Sequence, residues 1–506
     1  MNPTLIYSLV YSKWALFGCF FLLITCQSNP SADLSNNLLW QHEAYPSGLT
    51  IRTNDSILAA RFRWASGQAL AYVHDGSDPV GKWYEAALPD REAFCMRDVS
   101  HQSQGAQYLG LAEHTKNMLF KFAENISESK DWCSYWEINR YDQPAPVDYA
   151  NDQEFWYNLP ANFDVLIACY DQYLLTGDHD YLQNPVFVNF YQRTMDDYIK
   201  AWDLDIASIM TRDRFMNLDA PLDSSYSFQV SRGLPSYGEG EPVRLYLGAD
   251  LLCLQYQAYL AYESILRLKG SGERADSLQK VSQDLKEWYN LHWWNVKDDK
   301  PYSALFTDGS FIGNPSRYIL QSQILDSFQR QEIALQGLLG VEDINIESQS
   351  YFPKLFYDFD QQHRAFKELM DISHPQKERK EYPEVSYAFV EAIVEGLMGL
   401  SANAHERNVR TISRLTQPTN WVRLNEIPVF EGSVSITHNQ DLKTSLKSNL
   451  EDDINWTAAF YGNYDSLFVD DRPMMTQSMV TLTGKDISWV EITLPVGDSI
   501  TVRAYY

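Results

Sequence analysis

Up to about residue 401 the apolar positions of this chain recur with a helical period, and after residue 419 they alternate with polar ones at the period of a strand. The first pattern predicts helices over roughly 104–126, 160–177, 186–203, 247–269, 275–293, 316–340, 362–372 and 384–400. Their ends are punctuated as helix ends should be. Pro160 stands at a first-turn position, Gly177 closes the same segment, and Gly270-Ser271-Gly272 separates two others. Segment 247–269 is apolar around most of its circumference, as a helix buried on more than one side would be. From Thr419 to Tyr506, runs such as SVSITHN, MVTLTG and ISWVEITLP are separated by turn signals at Glu431-Gly432, Gly462-Asn463, Gly484-Lys485 and Gly497-Asp498. This stretch reads as an antiparallel β-sandwich appended to a helical domain, with no tandem repeat that would make a solenoid.

The polar residues interrupt the first pattern in a recurring way. Four times, a loop dense in acids and aromatics runs straight into the start of an apolar helical segment. The loops carry Arg97, Asp98 and His101; Trp136, Glu137, Asp148, Asp152, Glu154, Trp156 and Tyr157; Glu239 and Glu241; and Glu381 with Glu384. A helical barrel would gather all four at one rim. Glycosidic bond cleavage needs two carboxyl groups with different jobs, one protonated to serve the leaving oxygen and one ionised to activate water or attack the sugar. Carboxylates beside tryptophans and tyrosines at a common rim therefore describe a sugar-cleaving pocket.

Composition narrows the partners. The chain has 506 residues, 45% hydrophobic and 21% charged, which is globular material with ample core. Fourteen Trp and 32 Tyr exceed what a core requires, since each brings a polar tip that must reach a partner or water. A net charge of −26 repels nucleic acid and anionic membrane, which excludes both as ligands. There is no GxSxG elbow, no phosphate-binding glycine loop and no HExxH, and the ten His are dispersed, so neither a metal nor another cofactor is expected.

The N-terminus has the look of an export signal. Residues 14–25, WALFGCFFLLIT, form an apolar run too short to span a bilayer comfortably, and the run ends at Cys26 ahead of a polar linker. Leu23-Ile24-Thr25-Cys26 resembles a bacterial lipobox, in which Cys26 would be lipidated. That makes a lipid anchor the chain's one link to a membrane and places it in the bacterial cell envelope, secreted to the periplasm or held at the outer membrane. The expected order is signal 1–26, linker 27–44, helical domain 45–402 and β domain 403–506. Cys95 and Cys133, in two of the rim loops, are placed to form a disulfide in an oxidising compartment, whereas Cys169 and Cys253 read as buried small hydrophobes.

Three pieces, FCMRDVSHQ, YGEGEP and EYPEVSYAFVEAIVEGLMGLS, together with helices followed by a β-sandwich, give a chain that resembles the six-hairpin glycosidase superfamily over roughly residues 45–506. That superfamily includes glucoamylase-like and α-L-rhamnosidase-like enzymes. The resemblance implies an (α/α)6 toroid, a general acid in a loop before the third inner helix, where Glu239 and Glu241 stand, and a base near the last inner helix. It also implies that Arg97–Asp98 grips sugar hydroxyls and that inversion is the commoner outcome.

The residues themselves allow these roles. Glu239 and Glu241 are close enough to raise one another's pKa. Glu384 sits at a helix start, where the dipole favours the ionised form that a base needs, with Glu381 as its substitute. His101 could add a donor. Trp136, Trp156 and Tyr157 can stack on sugar faces, and Glu137 and Asp152 can hold hydroxyls, Glu137 being also the runner-up acid. Glu391 and Glu395, further along the last helix, read as structural. The expected function is exo-hydrolysis of a short plant or host oligosaccharide. The alternatives are a non-catalytic glycan-binding lipoprotein and a polysaccharide lyase on a helical toroid. Arg97, Arg140 and Arg244 keep a uronidase open within the hydrolase reading.

Overall fold

The computed structural model describes residues 48–87, 91–212, 232–238, 244–341 and 344–505. The leader with Cys26, and the pair Glu239 and Glu241, lie outside the described residues.

A helical domain is followed by a β domain. The helices pack in a repeating order that comes back to its start. Met96–Tyr108 packs on Ala161–Thr176, which packs on Ala249–Leu268, then come the short helices Arg317–Gln321 and Phe352–Asp358, then Pro383–Glu391, which returns to Met96–Tyr108. A second set lies against these: Ser56–Ala71, Ala112–Glu124, Gly272–His292 and Gln362–Ile372 each pack on a member of the first set. Two of the first set approach closely where a Cβ on Gly105 would fall 2.2 Å from the Tyr387 carbonyl oxygen, so only glycine admits that contact.

Several predicted helices are broken in two. The segment expected over 104–126 is Met96–Tyr108 and Ala112–Glu124, parted at Gly110, whose φ of 81° no regular helix accepts. Segment 316–340 is likewise Arg317–Gln321 and Phe328–Leu339. Helices predicted at 186–203 and 384–400 both pass through a π-helical turn, at Thr194–Tyr198 and Ala392–Leu397. Helix Ser56–Ala71 was not expected. It is started by Asp55, whose carboxylate accepts from the amides of Ile57 and Leu58.

The β domain has two sheets. One runs in the order Thr50–Thr53, Trp421–Val429, Gly432–Asn439, Lys443–Asn449, Ser499–Arg503, Ser466–Val469, Arg472–Met475. The other runs Ser401–Asn403, Asn408–Ile412, Ile454–Tyr461, Asp486–Leu494, Gln477–Val480. Two features depart from an antiparallel unit built only from the C-terminal sequence. The strand Thr50–Thr53 joins from the other end of the chain, and Asn408–Ile412 pairs parallel with Ile454–Tyr461. Alternate residues of the strands, among them Val422, Leu424, Val434, Ile436, Leu446 and Val502, are buried in a core continuous with that of the helices. Polar ties reinforce the junction: the Asp55 cap accepts from the Thr419 hydroxyl, and Arg414 donates to the carbonyls of Glu395 and Gly396. No described helix is long and apolar enough to cross a membrane.

Candidate active site

A cavity of about 850 Å³ opens at the N-terminal ends of the first set of helices. The sequence puts it there because each of these helices is entered from a polar or aromatic turn. Arg97 and His101 come from Met96–Tyr108, Asp250 from Ala249–Leu268, and Arg317 and Tyr318 from Arg317–Gln321. Tyr351 and Phe352 come from the start of Phe352–Asp358, and Tyr382 and Glu384 from the start of Pro383–Glu391. Ser236, Tyr237 and Gly238 complete one wall.

The deep end holds two carboxyl groups. Glu384, 2% exposed, accepts from the Tyr351 hydroxyl at 2.8 Å through one oxygen, while its other oxygen has no hydrogen-bond partner. Burial, and then the charge of the neighbouring Asp98 carboxyl, push the Glu384 pKa well above the usual carboxylate range. Arg97 donates from Nε to Asp98 Oδ1 at 3.1 Å, and its charge only partly offsets the rise at Glu384. The expectation that a helix start would keep Glu384 ionised is thereby overturned. A helix dipole contributes about 0.3–1 kcal/mol, against several for desolvating a charge. The Arg97 guanidinium lies over the rings of Trp136 and Tyr237, at 5.8 and 5.4 Å.

A second polar chain crosses the floor. The Tyr237 hydroxyl donates to Asp164 Oδ2 at 2.5 Å, and His101 Nε2 lies 3.2 Å from the same oxygen. Burial lowers the His101 pKa in spite of Asp164, which makes the ring neutral. Its Nε2–H then donates to Asp164, and Nδ1 faces the Arg317 guanidinium at 3.5 Å. Asp250 accepts from the Ser236 hydroxyl at 2.9 Å and from the Tyr237 amide at 2.6 Å, and burial raises its pKa. Gly248 makes room for this, since a Cβ there would sit 2.2 Å from Asp250 Oδ1. Below the floor, a chamber of about 230 Å³ continues between the helices towards Asp171, Lys354 and Glu391.

Of the residues nominated from sequence, Arg97, His101 and Glu384 line the cavity, and Asp98 and Trp136 lie directly behind them. The others are elsewhere. Trp156 and Tyr157 are 3% and 0% exposed, with their polar tips on Asn158 and Asn162, and no sugar can reach their faces. Asp152 is held by the hydroxyls of Ser129 and Tyr149, away from the cavity. Glu381 is at the surface beside Lys380. Glu137 is 1% exposed and pairs with Arg91 at 2.7 Å; burial first, and then Asp148, push its pKa up to about 9. Cys95 and Cys133 are both buried and form no disulfide with each other, and neither do the buried Cys169 and Cys253, so the expected disulfide is absent among the described residues. No group of His, Cys, Asp and Glu among the described residues is arranged to hold a metal ion. Sequence reasoning missed Asp164, Tyr237, Asp250, Arg317, Tyr318 and Tyr351. The signal was present for Arg317 and Tyr351, in PSRYIL and SYFPKLF, which are also polar-aromatic entries to a helix.

No protein-family model matches the chain, and no curated protein matches it. Solved structures do. An α-L-rhamnosidase from Dictyoglumus thermophilum aligns with a TM-score of 0.58 at 8% identity, over 90% of this chain and 50% of that one. An α-L-rhamnosidase of Streptomyces avermitilis in complex with L-rhamnose gives 0.53 at 10% identity, over 90% of this chain and 42% of that one. A GH78 family rhamnosidase of Bacillus sp. GL1 gives 0.53 at 11% identity, over 78% and 40%. The chain thus spans half or less of the length of these structures. What it shares with them is the fold.

Proposed function

We propose that the protein is a glycoside hydrolase that takes the end of a short oligosaccharide into the 850 Å³ cavity and cleaves it by carboxyl acid–base chemistry. The cyclic packing order of the helices supports reading the helical domain as an (α/α)6 toroid, with a β-sandwich behind it. The observation that carries the functional reading is the buried Asp98–Glu384 pair, of which Asp98 is hydrogen-bonded to Arg97 while Glu384 is pushed well above the usual carboxylate range. Two carboxyls in contact cannot be the acid and base of an inverting reaction, which stand roughly 6.5–9.5 Å apart to admit a water. One of the pair therefore holds the sugar, and the other works with a carboxyl across the cavity.

Asp98, oriented by Arg97, accepts from sugar hydroxyls. Donors arriving at Asp98 weaken its repulsion of Glu384, which ionises and serves as the base for water. The opposing acid is assigned to Glu239 or Glu241 on the sequence resemblance alone, which puts a general acid in the loop before the helix Ala249–Leu268. A lyase is disfavoured on its own chemistry. Burial raises the pKa of Tyr237, Tyr318 and Tyr351, so none is poised as a phenolate base, and both ring nitrogens of His101 are engaged. Placement in the bacterial envelope, with Cys26 lipidated, rests on the leader alone.

The test is a panel of aryl glycosides, α-L-rhamnosides among them, and plant or host oligosaccharides, with released sugar read by chromatography. Release of one monosaccharide, insensitive to EDTA, is expected. Binding without release would favour a glycan-capture protein, and an ultraviolet-absorbing unsaturated product would favour a lyase.

A further inference from the structure

We propose that the sugar held in the cavity carries a carboxylate, and that Arg317 recognises it. This rests on the reading of the cavity as a sugar site and names the class of sugar, a hexuronic acid residue at the end of the chain.

Arg317 opens the helix Arg317–Gln321 and lines both the cavity and the chamber below it. Its guanidinium lies 4.2 Å from the ring centroid of Tyr318 and 4.1 Å from that of Tyr351, and these two contacts fix its plane. Its acceptors are all neutral: Gln321 Oε1 at 2.9 Å, the Tyr318 hydroxyl at 2.9 Å and His101 Nδ1 at 3.5 Å. A guanidinium has five N–H donors, so two are left over. Among the described residues no carboxylate forms an ion pair with it.

The other charged groups described around the cavity already have partners. Asp98 has Arg97, Glu347 has Arg379 at 2.5 Å, Asp164 has Tyr237 and His101, and Asp250 has Ser236 and the Tyr237 amide. Arg317 is the cavity's unmatched cation among the described residues. A half-buried guanidinium held against neutral partners carries a desolvation cost that no anion among the described residues offsets. A ligand carboxylate would offset it through a charge-assisted hydrogen bond from one of the remaining N–H groups, on Nε or Nη1. The need for such a group is greater in a chain of net charge −26, whose overall field repels an anionic sugar.

Calorimetric titration of the full protein with D-glucuronate and D-galacturonate, against D-glucose and D-galactose, tests this without requiring turnover. Each uronate is expected to bind roughly 10–100-fold more tightly than its neutral counterpart, the range of a charge-assisted hydrogen-bond pair. Arg317→Gln should erase that preference, and Arg317→Lys, which keeps the charge but not the flat cation held against Tyr318 and Tyr351, should restore only part of it. Equal binding of uronate and neutral sugar, no binding of any of the four, or a preference that survives Arg317→Gln would overturn the proposal. Uronate bound through Arg317 with no glycoside cleaved would leave this inference standing and sink hydrolysis. Cleavage confined to neutral glycosides would do the reverse.

Discussion

Two buried carboxyl pairs stand near one another in the helical domain, and only one of them meets the cavity. Asp98–Glu384 and Glu137–Asp148 are brought together by the short strands Ala93–Cys95 and Glu137–Asn139, in which Cys95 lies opposite Glu137. In both pairs one glutamic acid is pushed towards its protonated form, by burial first and by the neighbouring carboxyl second. The environments differ in two respects. Arg91 lies across the second pair, 2.7 Å from Glu137 and 3.9 Å from Asp148, whereas Arg97 donates a hydrogen bond to Asp98. Glu384 lines the cavity, and Glu137 lines none of the described cavities. A perturbed pKa therefore marks a cost that the surrounding fold carries; it becomes chemistry only where a substrate can reach the group.

The contrast can be broken by paired substitutions. Glu384→Gln should lower kcat/KM by about 10²–10⁴-fold, the worth of a general base, whereas Glu137→Gln should leave it within about tenfold of the parent. Similar losses in both would erase the distinction. Asp98→Asn should weaken substrate binding by about 10–100-fold through loss of a charged acceptor. It should also move the acid limb of the kcat/KM profile. Asp98 raises the Glu384 pKa, so removing its charge shifts that limb to lower pH. Tyr351→Phe should do the opposite, because the Tyr351 hydrogen bond lowers the Glu384 pKa. Its cost in kcat/KM should be about tenfold.

The smallest effect concerns stability. Glu137 ionises at an ordinary value of 4.5 when unfolded and at about 9 when folded, so the native state binds the extra proton. Its burial costs nothing below the unfolded value, costs progressively more as pH rises through that window, and levels off above the folded value. Glu137→Gln removes the cost. Its stability relative to the parent should rise by about 1 kcal/mol or more between pH 5 and pH 8, as measured by urea unfolding. A difference independent of pH would contradict the assignment.

Much of this was legible in the sequence where a long amphipathic or apolar segment carried it. Gln362–Ile372 was bounded to the residue, and Ala249–Leu268 to within two. The helix Ser56–Ala71 was missed because Arg61, Arg63 and Gly67 blur its period, although its cap, Asp55, was in view. The pairing of Thr50–Thr53 with Trp421–Val429 left no local trace, since it joins residues far apart in the chain. At the site, the rule that polar-aromatic loops enter the inner helices found Arg97, Asp98 and Glu384. It failed for Tyr351 because its helix, of seven residues, is too short to display a period, and it passed over Arg317 although a helix was expected from residue 316. It also misled at Trp156 and Tyr157, whose polar tips are satisfied inside the protein and not by a ligand. The pKa of Glu384 could not be read from sequence, since it depends on a contact with Asp98, nearly three hundred positions away.

The central claim, that Glu384 at the deep end of the cavity is the base of a glycoside hydrolase, is tested most directly with aryl glycosides whose leaving groups need no acid. The parent protein and Glu384→Gln would be compared side by side for release of the aryl group. The account predicts release by the parent and loss of about 10²–10⁴-fold in the variant, because no leaving group, however good, replaces a base. Equal release by the two proteins would contradict it.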